Sequence, residues 1–221
     1  MLLYPRLTQL DLTGPYEVFR RMTDTEIYLL WKTLAPVCSD TDLCLTPTMT
    51  LAGCPALDVL FVPGGKGQVD LMGDTEVLDF VRRKGEQASY VTSVCTGSLV
   101  LAAAGLLDGY RATCHWLSRE FLQEFGIEVS TERVAVDRNR ITGAGVTAGI
   151  DFALLLCGLL RGDAEAERLQ LQLEYNPAPP YDSGSPDRAS PATVDAAIAQ
   201  SAELRAARHR ANQQAIQRRR S

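Results

Sequence analysis

The chain has 221 residues, 46% of them hydrophobic and 22% charged, with a net charge of −5. That size and composition suit an ordinary globular domain with a core of useful size, and the acidic balance excludes a general nucleic-acid electrostatic footprint. No apolar run reaches the roughly 18 residues of a membrane span, and no N-terminal segment pairs a basic region with a long apolar one, so neither membrane insertion nor a secretory leader is expected. The locally basic end, "RAARHRANQQAIQRRRS", reads as a solvated helix face with a frayed tip. None of the six cysteines forms a C-x-x-C pair, which argues against a zinc ribbon or a thioredoxin-type site. Reduced thiols in a cytoplasmic protein are expected, with Cys38, Cys44, Cys54 and Cys157 packed as small core hydrophobes.

In chain order, "MLLYP" reads as the short end of a strand and "GPYEVFRRM" as a helix with Pro15 just inside its start and Glu17 in its first turn. "EIYLLWK" is the next strand, and residues 33–54 predict a hairpin or an edge pairing. "ALDVLFVPGGKG" is an apolar strand ending in a glycine turn. "TEVLDFVRRKGE" spaces Val77, Phe80 and Val81 as a helix does. "YVTSV" is a strand, and "GSLVLAAAG" a helix that Gly105 can end. "HWLSREFLQEFG" is a further helix opened by His115, which suggests a cap or a satisfied polar group. "ERVAVD" and "RITGAG" are two short strands around a turn at Arg138 and Asn139. "TAGIDFALLLCGLLRG" reads as a buried core helix with Thr147 as N-cap, and "DAEAERLQLQLEY" as an amphipathic one. "NPAPPYDSGSP" is irregular, and a polar-rich helical arm follows.

Strands alternating with helices predict an α/β fold with a mostly parallel sheet and helices on both faces. Ligands of such sheets bind outside the C-terminal ends of the strands. Two segments end strands there, "VPGG" and "CTG". Cys95 stands at the second, between "YVTSV" and the next helix. A residue at such a junction is held in a sharp, strained turn with its side chain aimed into the cleft. The helix start behind it presents unpaired N–H groups to the sulfur, and that setting predicts a thiolate. The backbone N–H groups of Thr96 and Gly65 are placed to hold a developing negative charge, and Val146, in the "GAGVT" loop, is placed to present its own.

The segment "SVCTGSLVLAAAGLLDGYRATCHW" resembles the superfamily that holds the Parkinsonism-associated deglycase and the PfpI intracellular proteases. Within it, "LTQLDLTGPYEVF", "VPGG", "ITGAGVTAGIDFALLL" and "LQLQLEYNPAPPYDSGSP" resemble isocyanide hydratases. The resemblance runs from about Leu2 to Pro186. It implies a flavodoxin-like three-layer sandwich with a cysteine nucleophile elbow. The organisation expected is one α/β domain over residues 1–190 and a C-terminal helical arm over 191–221. It further implies a homodimer, Cys95 as nucleophile, Asp11 as the acid opposite the sulfur, and no metal or organic cofactor. Read from the residues alone, Asp11 suits a turn or cap, but Thr13 or Gly14 already stands where a cap ahead of Pro15 belongs, which leaves Asp11 at the strand's end. The deglycase branch carries a glutamate in place of Asp11. The protease-like branch carries a histidine after the cysteine, where this chain has Thr96, and peptidase chemistry is therefore not expected.

The reaction implied is hydration of an isocyanide to an N-substituted formamide through a Cys95 thioimidate. Two alternatives share the site: a glyoxalase or deglycase acting on reactive aldehydes, and a redox or stress protein that does not bind DNA. A regulator of the AraC type carries similar "DLTGP" and "CTG…HW" pieces, but the thirty or so residues after Pro191 are too few for two helix-turn-helix units. No nucleic-acid partner is expected.

Overall fold

The structure is a computed structural model that describes residues 1–220; Ser221 lies outside the described residues. The apolar run "YVTSV" forms the strand Tyr90–Val94 at the centre of a four-stranded sheet. Val59–Val62 pairs with it in parallel on one side and Arg140–Gly143 in parallel on the other, with Val134–Asp137 antiparallel beyond. A second parallel pair, Leu30–Trp31 with Met49–Thr50, lies across a gap that the first residues fill. The Leu2 N–H donates to the Phe61 carbonyl (2.9 Å) and the Leu3 N–H to the Leu30 carbonyl (2.9 Å). Leu2, Leu3 and Tyr4 are fully buried there. Strands buried on both faces read as continuous apolar runs, which is why "DVLFV" and "YVTSV" stand out in the sequence.

Helices complete a three-layer α/β sandwich of the flavodoxin type. In one layer, Gln9–Phe19 packs on Ala148–Arg161. Phe61 from the sheet stacks on Phe152 (5.5 Å between ring centroids), and Phe19 meets both edge-on. The two helices touch through Gly149, where a Cβ would lie 3.1 Å from the Pro15 ring. The other layer holds Thr75–Gln87 and Gly97–Ala103. Asp74 caps the former, its carboxylate accepting from the Val77 N–H at 3.2 Å, and Val77, Phe80 and Val81 face inward as their spacing predicts. Among the described residues, no helix is long and apolar enough to cross a membrane.

Several expectations are corrected. The first helix starts at Gln9, with Thr8 at its N-cap position and Pro15 in its interior, so Asp11 belongs to its first turn and not to a strand end. Pro15 is the seventh residue of the helix, and its ring costs a donor for the Asp11 main-chain carbonyl. Glu17 then falls late in the helix, where it pairs with Arg21. Residues 33–54 contain both arrangements: Val37–Cys38 and Cys44–Leu45 form an antiparallel hairpin, and Met49–Thr50 is the edge strand. That hairpin overturns the reading of Cys38 and Cys44 as buried free thiols. Its register sets the two residues directly opposite one another, and they are exposed and joined in a disulfide; Cys54, Cys95, Cys114 and Cys157 are free and buried. Ala148–Arg161 is buried along one face only, and Leu159 on the other is 52% exposed.

The basic end is not a solvated, frayed face. It forms the helix Ala202–Arg220, which docks on the domain through Arg208, Ala211, Asn212 and Ala215. These recur at i, i+3, i+4 and i+7, one helical face, but they are small or polar, so no hydrophobic pattern announces the contact. Asn212 Nδ2 donates to the Phe121 carbonyl (2.8 Å), Arg205 pairs with Glu120 (2.7 Å), and His209, expected to be only solvated, pairs with Glu124 (2.7 Å).

Candidate active site

The sheet register builds the site. Val62 lies beside Ser93, and Val94 beside Gly143. The three segments that leave these strand ends, Pro63–Gly65, Cys95–Thr96 and Ala144–Thr147, therefore converge at one edge. Cys95 adopts φ 53°, a left-handed conformation costly for a non-glycine residue. Its N–H donates to the Gly143 and Ala144 carbonyls (3.1 and 2.8 Å), which hold the elbow in place. The turn can be this tight because Gly97 has no Cβ: one there would run into the Val62 carbonyl.

Asp11 reaches the same point from the first helix and is fully buried. Its Oδ2 accepts the Gly64 N–H at 2.9 Å, while Oδ1 is buried with no N–H or O–H donor on it. The carboxyl and the Cys95 thiol are close enough to shift one another's ionisation. Gly64 packs against both residues: a Cβ there would lie 2.5 Å from the Thr96 nitrogen, 2.7 Å from Asp11 Oδ2 and 2.8 Å from Cys95 Cβ. Sequence reasoning chose Gly65 and missed Gly64, although "PGG" offers both.

Burial raises the Asp11 carboxyl from 3.8 to about 7, with Asp40 adding to the rise and the Cys95 and Gly64 hydrogen bonds opposing it. Burial likewise lifts the Cys95 thiol well above 9.0, and the neighbouring Asp11 lifts it further. The Thr96 N–H and Arg208 favour the ionised sulfur but do not prevail. Against the thiolate expected from the helix start, burial at 6% exposure pushes the thiol up more than one N–H and a short helix bring it down.

Thr96 is buried next to Cys95, and its hydroxyl turns to Gly65. The Gly65 N–H donates to Thr96 Oγ1 (3.0 Å), and the hydroxyl donates back to the Gly65 carbonyl (3.3 Å). The Gly65 N–H is therefore engaged and not free for a substrate anion, which corrects that assignment. Val146 lies two residues beyond Ala144 and is half-buried, its carbonyl accepting from Gly149 at 3.3 Å. Thr147 occupies the N-cap position of its helix without a side-chain cap; its Oγ1 instead accepts from Arg133 (3.3 Å). His115 Nδ1 caps a short 3₁₀ turn by accepting the Leu117 N–H (3.3 Å), the satisfied role expected for it. Burial, Arg208 and Arg119 bring its pKa down to about 4, so the ring is neutral at pH 7.

Residues 1–158, more than two thirds of the chain, match the DJ-1/PfpI family. The chain belongs to that family. Among DJ-1/PfpI relatives, the isonitrile hydratase of Pseudomonas putida is 56% identical over 196 residues, covering 89% of this chain and 86% of that protein. A crystal structure of a THiJ/PfpI family protein from Pseudomonas syringae superposes with a TM-score of 0.94 at 46% identity, over 96% of this chain and 88% of that one. The HTH-type transcriptional regulator GbdR of Pseudomonas aeruginosa is 34% identical over 170 residues, covering 73% of this chain but only 46% of the regulator. This chain thus matches less than half of that regulator.

Proposed function

We propose that this DJ-1/PfpI protein is an isocyanide hydratase, an enzyme of the lyase class that adds water to R–N≡C and releases an N-substituted formamide. The observation that carries the reading is a buried Cys95 thiol facing a buried Asp11 carboxyl whose pKa lies near 7, in a chain 56% identical over most of its length to an isonitrile hydratase. The terminal isocyanide carbon must accept a nucleophile and a proton on the same atom, and the pair supplies both. The thiol proton passes to Asp11 as the sulfur bonds to that carbon; Asp11 then gives the proton to the same carbon, leaving the thioimidate R–N=CH–S–Cys95. Asp11, now a carboxylate, takes a proton from water as the water oxygen adds to the carbon, and hands it to nitrogen. The C–S bond of the resulting R–NH–CH(OH)–S adduct breaks, the hydroxyl proton returns through Asp11 to sulfur, and R–NH–CHO leaves with Cys95 again a thiol. The Thr96 N–H stabilises sulfur as it gains charge, and the backbone N–H of Val146 borders the substrate. Every step draws on this chain's residues, the substrate and water.

In the same reading the enzyme is a cytoplasmic homodimer. Exposed Leu155 and Leu159 on one helix face and Leu171, 83% exposed, offer apolar surface to a second copy. Turnover of a small isocyanide, followed by loss of its infrared stretch, tests the reaction. Cys95→Ala is expected to fall below about 10⁻³ of the wild-type rate, and mass spectrometry of the wild type is expected to trap the thioimidate on Cys95. Faster turnover of methylglyoxal than of any isocyanide would move the assignment to an aldehyde-directed enzyme.

A further inference from the structure

The docked C-terminal helix carries one residue into the interior that neither the sequence motifs nor the mechanism above uses. Arg208 is 6% exposed. Its Nε donates to Gln68 Oε1 and its Nη1 to Ser118 Oγ, both at 3.2 Å, and both acceptors belong to fully buried side chains. Gln68 opens the helical turn that continues the Pro63–Gly65 loop beneath Asp11, its N–H donating to the Gly65 carbonyl (3.3 Å). Ser118 closes the turn started by His115, its N–H donating to the His115 carbonyl (2.8 Å). His115 in turn packs against Gly145, in the loop that follows the carbonyls holding Cys95. One guanidinium therefore ties together the two turns that flank the nucleophile.

Both hydrogen-bond acceptors of Arg208 are neutral, and among the described residues no carboxylate pairs with it. A buried cation without an anion is costly, and such a site becomes favourable when an anion forms nearby. The groups that face it electrostatically are Cys95, Cys114 and Tyr4, with His115 on the same side; Cys95 also faces Asp11 and Tyr4. Cys114 is fully buried and pushed up to about 12, and Tyr4 donates its hydroxyl to the Pro63 carbonyl at 2.9 Å. Cys95 is the member of this group whose chemistry requires negative charge.

We propose that Arg208 is a positioning residue for Cys95: it clamps the Gly65–Gln68 turn to the His115–Ser118 turn and holds a fixed positive charge that stabilises the sulfur as it ionises. The inference rests on Cys95 being the nucleophile. It is tested on the full chain by alkylation with iodoacetamide at a series of pH values, with the Cys95 peptide quantified by mass spectrometry. Arg208→Met is expected to move the alkylation midpoint up by roughly one pH unit and to slow the reaction about tenfold at pH 7. Arg208→Lys keeps the charge and is expected to keep the midpoint, yet a point charge cannot hold both turns as the planar fork does, so kcat for an isocyanide falls more than the alkylation rate. A residue with only a packing role would lower the melting temperature of Arg208→Met and leave the midpoint in place; that result overturns the proposal. Should Arg208→Met not fold, Arg208→Lys decides alone, and wild-type kcat in that variant overturns the clamp. Alkylation needs no isocyanide, so a wild type inert toward isocyanides would refute the proposed reaction and still leave the Arg208 result readable.

Discussion

Asp11 illustrates how burial can set a residue's chemistry. A carboxyl with a pKa near 3.8 cannot hold a proton for a substrate at neutral pH; one raised to about 7 can. The sign for stability follows. The folded protein holds this proton more tightly than the unfolded chain, so the stabilisation is fully present below about pH 3.8 and is lost as pH rises through about 7. Above that, the fold carries a buried carboxylate. Activity is expected to rise over the same range, because Asp11 must be ionised to take the thiol proton that it then delivers to the isocyanide carbon. Asp11→Asn keeps an acceptor for the Gly64 N–H but cannot donate an acidic proton. It is expected to lose about 10²- to 10⁴-fold in kcat and to melt higher than the wild type at pH 8. Formamide release and thermal melts at pH 5 and 8 check both. Equal melting temperatures at pH 8 would contradict the cost assigned to the buried carboxylate.

The site depends on how closely loops and helices approach one another. Gly64 is where the Pro63–Gly65 loop, the elbow and the first helix meet, and a Cβ there would press on the Asp11 carboxyl, the Thr96 nitrogen and the Cys95 Cβ at once. Gly64→Ala is expected to abolish turnover and to destabilise by about 1–3 kcal/mol, the usual range for overpacking; kinetics and a denaturant melt read the two effects. A Gly64→Ala variant that remained fully active would show that the carboxyl and thiol do not meet as described. The elbow itself was legible in the sequence, because an apolar strand running into "CTG" and a small-residue helix leaves a tight turn as its joint. The start of the first helix was not. Proline is so strongly associated with a helix's first position that Pro15 drew the boundary forward, and only packing against Gly149 shows the ring seated inside the helix.

Across the whole molecule, two segments distant in sequence support the pocket. The hairpin closed by Cys38–Cys44 bonds to the stretch before Asp11: the Arg6 N–H donates to the Cys38 carbonyl (2.8 Å) and the Asp40 N–H to the Leu7 carbonyl (2.9 Å). Closing a loop of sequence separation 6 is worth about 2 kcal/mol, so Cys38→Ser is expected to lower Tm by roughly 4–8 °C. Dithiothreitol should produce the same drop in the wild type and none in the variant. An unchanged Tm with reductant would show that the bridge adds nothing to stability. Under reducing conditions this bridge is the element most open to change, since the other cysteines are single and buried. The second segment is the C-terminal helix, which delivers Arg208.

From the sequence alone came the α/β class, the mostly parallel sheet, the cysteine at its strand end and its family, because each is written in local periodicity, turn chemistry or a contiguous motif. The tertiary structure decided the burial of the Cys95–Asp11 pair, the place of Gly64, the Cys38–Cys44 bridge and the entry of Arg208. Those depend on desolvation and on contacts between segments far apart in the chain, which residue order does not reveal until the chain is packed.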